Sequence, residues 1–189
     1  MEYPIIQPPF TLQFREMSKP ELKSYFEWFM KMIPERIEVL ERAVRESPEY
    51  SSWSADCSSS SLKGLGEWFV GQVETRERSS EELDAIKLSL SFPMEIDTEE
   101  LTNRTFSLAM DIGMYFSQVV LTSLPGTKWE QYFGNKRDAD YGQPVIMGFG
   151  VVPLNPVSII VTLAYGISRG KRSGGRLSEL YDTWAKLRK

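Results

Sequence analysis

The 28 residues from Tyr141 to Ser168 contain no charged side chain, and this run constrains the fold more than any other feature. It is long enough to cross a bilayer as a helix. Pro144, Pro153 and Pro156 interrupt it, however, with Gly148 and Gly150 between them. Proline lacks the backbone donor that a helix interior requires, so the run divides into a strand, a turn and a short buried helix. Asn155-Pro156 supplies the start of that helix, a capping side chain followed by proline at the first helical position. Ile159, Ile160, Leu163 and Ile167 then mark it as central. No membrane span is expected. The first residues, MEYPIIQPPF, have neither the basic region nor the apolar centre of a signal peptide, so a soluble, cytoplasmic chain is the expectation.

Elsewhere the period is mostly helical. Ser18 followed by Glu21 forms a capping box. Leu22, Phe26, Phe29, Ile33, Ile37, Leu40 and Val44 then recur at steps of three and four. Pro34 predicts a kink or a break, so residues 17–46 read as a kinked helix or helical hairpin. A Ser-rich loop follows over 47–61, and residues 62–189 form the remaining α+β core. A helix is expected over Leu62–Val73. Leu88, Leu90 and Phe92 alternate with serines in the manner of a strand, or end a short helix begun at Ser79. Asp97-Thr98-Glu99-Glu100 is expected to open the next helix, with acids where the macrodipole favours them. Its stripe is Leu108, Ile112, Tyr115, Phe116, Val119 and Val120. Lys128–Phe133 and Pro144–Phe149 read as two strands joined by a polar loop, and Leu177, Leu180, Tyr181 and Trp184 mark a final amphipathic helix. The fold class expected is α+β: a helix-rich single domain with a small antiparallel sheet.

Two stretches, LGEWFVGQV at 65–73 and IGMYFSQVV at 112–120, align without a gap at Gly66/Gly113, Trp68/Tyr115 and Phe69/Phe116. All the shared positions are of packing type. They read as two core helices meeting the same packing problem, in contact with each other or apart.

The chain has no histidine and one cysteine. Without imidazole there is no Ser-His-Asp or Cys-His mechanism and no His-containing zinc site. Cys57 has no partner for a disulfide, and Asp56 beside it disfavours the thiolate. Paired-carboxylate hydrolysis needs only Asp and Glu. Glu67 and Asp111 are the candidates, because each adjoins the apolar face of an expected core helix, and they would have to share one pocket. The basic glycine loop at 170–176 lacks P-loop order, and Gly148-Phe149-Gly150 lacks the dinucleotide fingerprint. Asp138 and Asp140 have calcium-loop spacing without the remaining ligands. No cofactor and no metal is expected.

Charge is unevenly distributed. Residues 67–100 hold ten Asp/Glu against three Lys/Arg, a local net of −7, and residues 167–189 hold seven Lys/Arg against two acids, a local net of +5. The overall net charge of −4 speaks against a nucleic-acid binder. The acidic stretch could steer a basic protein partner or attract the basic one. Trp129, Tyr132, Asp138, Asp140 and Tyr141 could offer a polar-aromatic surface to such a partner.

Several motifs occur in a fixed order: Asp111-x-Gly113-x-Tyr115, Lys128-Trp129, Gln143-Pro144-Val145 through Gly148-Phe149, and Asn155-Pro156. In this order the chain resembles an uncharacterised group of small bacterial proteins, mainly from Gram-positive species, with the pattern DxGxYxGE, KW, QPVxxGF and NP. Ser117-Gln118 stand where that pattern has Gly-Glu. Related domains are similar to immunity proteins, small acidic cytoplasmic binders that neutralise a toxin. The resemblance implies a non-enzymatic protein-binding domain whose partner is toxin-like and basic. The alternatives are a carboxylate-dependent hydrolase using Glu67 or Asp111, and a structural or self-associating module. Homo-oligomerisation is left open.

Overall fold

The computed structural model describes residues 2–90 and 95–188. Among these, six α-helices account for about half of the chain: α1 (Lys19–Arg45), α2 (Ser61–Val70), α3 (Ser80–Ser89), α4 (Asn103–Ser123), α5 (Pro156–Ser168) and α6 (Arg176–Leu187). Two antiparallel pairs complete the fold, β1 (Thr75–Glu77) with β2 (Glu99–Leu101), and β3 (Lys128–Gln131) with β4 (Pro144–Met147). The helix-rich α+β class is therefore observed.

Helix α4 is the axis of the domain. Its residues from Ser107 to Ser117 are all buried, with α1 packed on one side and α5 on the other. The six residues of its expected stripe have no exposed surface. The main core joins α2, α4, α5 and α6 to β4. A second cluster gathers Ile6, Tyr25, Phe29, Ile33, Met110 and Met114 between the N-terminal segment, the first half of α1 and α4. The uncharged run divides as its prolines require. Pro144–Met147 is β4, Ile146 pairs with Leu154 across a turn, and α5 begins at Pro156 under an Asn155 cap that accepts from Ser158 N at 3.0 Å. Among the described residues no helix is long and apolar enough to cross a membrane.

Helix α1 begins at the expected capping box, where Ser18 Oγ accepts from Glu21 N and Glu21 Oε2 accepts from Ser18 N. It then runs unbroken through Pro34, so neither a break nor a helical hairpin forms. Pro34 lies on the exposed face, where water can serve the Met30 carbonyl that loses its helical partner. Ile33 before it and Leu40 after it stay packed in the core. Two further boundaries differ from expectation. Helix α3 extends from a Ser79–Glu82 capping box to Ser89, and Leu88 on it is 88% exposed, so the Leu88/Leu90 alternation is not a burial pattern. Phe92 of that expected strand lies outside the described residues. Asp97–Glu100 does not open a helix. Glu99–Leu101 pairs with β1, Leu101 is buried, and Thr102 caps α4 by accepting from Thr105 N at 3.2 Å. Helix α2 ends at Val70 rather than Val73, where Gly71 N turns back to Trp68 O.

The two aligned glycines meet different partners. A Cβ on Gly66 would lie 2.1 Å from Gly174 O, at the loop leading into α6. A Cβ on Gly113 would lie 3.0 Å from Pro156 O, at the start of α5. Each glycine admits the backbone of a different helix start, and the likeness of the two stretches is a likeness of packing.

Candidate functional site: a closed charge centre and an acidic lobe

Along α1 the buried positions are Leu22, Tyr25, Phe29, Ile33, Arg36, Leu40 and Val44. One of them is charged. Arg36 is 4% exposed and points at α4, where Asp111 has no exposed surface. Its Nε donates to Asp111 Oδ1 at 2.8 Å and its Nη2 to Oδ2 at 2.6 Å, the bidentate fork in which a guanidinium holds an ionised carboxylate. The same Nη2 donates to Pro4 O at 2.8 Å. Tyr3 donates its hydroxyl to Asp111 Oδ2, and the Arg36 guanidinium lies 5.7 Å from the centre of the Tyr3 ring. One helical turn earlier on α4, Ser107 Oγ accepts from Ile6 N at 3.1 Å. Polar groups on two core helices thus hold the N-terminal segment in place. Burial drives the Asp111 carboxyl above the ordinary aspartate value, opposed by Arg36 and Tyr3. Burial, with Asp111 adding to it, raises the Tyr3 phenol strongly.

This centre is closed: both Asp111 oxygens are taken up, and no solvent reaches them. Glu67 lies on the exposed face of α2. Asp111 is therefore closed to solvent while Glu67 faces it, so the two carboxylates line no common solvent-filled pocket. The Asp-x-Gly-x-Tyr motif of α4 has structural work at each position. Asp111 pairs with Arg36, and Gly113 admits α5. The Tyr115 hydroxyl accepts from Cys57 N at 3.2 Å and bonds Ser61 Oγ at 2.6 Å, while burial pushes its pKa up to about 12. Cys57 is half-buried, and burial together with Asp56 raises its thiol.

The β3–β4 hairpin brings its expected contact residues together but uses most of them internally. Trp129 is half-buried and packs edge-on against Phe29 at 5.6 Å. Tyr132 donates to Asp138 Oδ2 at 2.8 Å, which raises its phenol pKa. Asp140 accepts from Asn155 Nδ2 at 2.8 Å. Tyr141 stacks edge-on with the half-exposed Phe133 at 5.8 Å. Among the described residues no group of three acids and cysteines could hold a metal.

The acidic stretch forms a lobe, β1–α3–β2, in which α3 has no buried residue. Its cations are consumed internally. Arg76 bonds Glu82 at 2.7 Å and Glu100 at 2.6 Å, and Arg78 bonds the Asp97 and Glu99 carbonyls. Asp97 pairs with Arg169 of the basic segment, so the opposite charges meet at one point. Glu77, Glu81, Glu95 and Glu99 are exposed and form no ion pair among the described residues. Sequence reasoning passed over Arg36, although position 36 completes the spacing between Ile33 and Leu40.

The fold and its sites together define a helix-rich α+β domain with a closed, self-satisfied charge centre and an outward-facing acidic lobe. The chain matches no protein family, no curated protein and no solved structure.

Proposed function

We propose that this chain is a non-enzymatic protein-binding domain that occludes a basic partner, in the manner of the immunity-like proteins its motif order resembles. The observation that carries the reading is the acidic lobe. Its four unpaired glutamates and the bare apolar side chain of Leu88 stand on elements that contribute little to the core. A surface of one sign raises the rate of encounter with an oppositely charged partner, and an exposed leucine on α3 adds apolar contact area. The closed state of Asp111 and the exposure of Glu67 on α2 favour binding over hydrolysis. Phe133 and Tyr141 on the hairpin offer a second, aromatic contact.

The test is co-purification from the native host with the unmodified chain and with a Glu77, Glu81, Glu95 and Glu99→Lys variant. A basic protein retained by the first, released by salt and lost with the second is the expected result. Co-expression should then relieve any toxicity of that protein. Recovery of the same proteins by both chains, or of none, would refute the reading.

A further inference from the structure

We infer that the cavity beside the N-terminal segment is a binding site for an uncharged, largely aliphatic small molecule. This is independent of the protein-binding surface, which lies on other elements. The cavity has a volume of about 570 Å³, within the range of small-molecule sites. Ile5 and Leu12 of the N-terminal segment form one wall, Phe106 and Met110 of α4 the second, and Val157 and Val161 of α5 the third. No charged side chain lines it. An ion entering would lose its hydration without gaining a counter-charge, so a neutral ligand is selected.

The polar groups set the ligand's orientation. Ser107 Oγ is already engaged at both ends, accepting from Ile6 N and donating to Asn103 O at 2.9 Å. The carboxamides of Gln7 and Asn103, both exposed residues, are left to meet a hydroxyl or carbonyl on the ligand while its chain lies inward. The cavity is held open by the ties described above. Tyr3 on Asp111, Pro4 O on Arg36 and Ile6 N on Ser107 fix the segment along one edge. Leu12 holds a left-handed backbone, φ 62°, that a leucine adopts only under constraint. The ties at residues 3–6 thus set the segment along the rim of the cavity rather than across it.

Nile red, an uncharged dye that brightens in apolar surroundings, tests the site on the full chain. The expected result is saturable binding of one dye per chain, with amide shifts at Ile6 and Phe106. Decanol should displace it at least roughly tenfold better than decanoate at about pH 8, where the acid is ionised. Val161→Trp fills the cavity and should weaken binding by about tenfold or more with the circular dichroism unchanged. Val157→Phe serves the same purpose should the first variant misfold. Absence of saturable binding, equal displacement by decanoate, or undiminished binding in a folded filled variant would overturn the assignment. Dye uptake that accompanies dimerisation in sedimentation would also overturn it, since the apolar walls would then be covered by a second copy.

Discussion

Replacing Asp111 with Ala should be among the most damaging single changes in the chain, and the geometry gives its size. The change leaves the Arg36 guanidinium buried, with Nε stripped of its acceptor and Nη2 retaining only Pro4 O. It also orphans the Tyr3 hydroxyl. Breaking a buried pair on one side costs about 3–5 kcal/mol, chiefly because the surviving charge stays out of water. For a chain of this length that is roughly a 6–20 °C fall in melting temperature. Removing the whole centre with Tyr3→Phe, Arg36→Met and Asp111→Leu leaves no charge to desolvate and should return to within about 2 kcal/mol of the parent. Urea unfolding followed by circular dichroism and tryptophan fluorescence measures both. A cost below about 1 kcal/mol for the single variant, or a triple variant no better than the single one, would refute the argument that the pair is dry and mutually dependent.

Further outcomes follow from other contacts. Gly66→Ala sets a Cβ 2.1 Å from Gly174 O, backbone against backbone, and should cost more than Gly150→Ala, whose Cβ meets nothing within 4 Å and bears only the strain of φ +71°. Chemical denaturation of the two variants should show that order. Of the four tyrosines with raised pKa values, Tyr132 owes its shift to Asp138, and Tyr3, Tyr25 and Tyr115 owe theirs chiefly to burial. Their contribution to stability is full below the ordinary tyrosine value of 10.0 and is lost as pH rises above it, so an ultraviolet absorbance titration should find them ionising late and together with unfolding. In the acidic lobe, Arg76 holds Glu82 down to about 2. Its support of the α3 start is full above the ordinary glutamate value of 4.5 and fades as pH falls toward 2, and Arg76→Ala should move the Glu82 carboxyl titration upward in nuclear magnetic resonance spectra.

The extent to which the sequence foretold this structure depended on how local each signal was. Ser18 with Glu21, and Asn155 with Pro156, act within one helical turn, and both helix starts fall where they were expected. Lys128–Gln131 and Pro144–Met147 pair within the expected strands Lys128–Phe133 and Pro144–Phe149, across a polar loop. Asp97–Glu100 misled because acids suit the first turn of a helix and an exposed edge strand equally well, and the deciding cap was Thr102. Arg36 was hidden by treating only apolar residues as buried, although it stands three residues after Ile33 and four before Leu40 on the buried face. Asp111 was singled out as a carboxylate on an apolar helix face. Its partners are 75 and 108 positions away, and no periodicity carries that distance. The cavity wall is equally non-local, since Ile6 finds Ser107 across 101 positions.

That separation also orders events during synthesis. Residues 3–6 leave the ribosome well before the helix to which they are tied, and at about 5–20 residues per second the wait between Tyr3 and Asp111 is roughly 5–20 s. For the last 75 residues of that interval Arg36 is already in the chain with its carboxylate not yet made. Packing the Arg36 face of α1 before Asp111 is made would bury a charge without its partner, so the pair favours closure of the N-terminal half after the central helix is present.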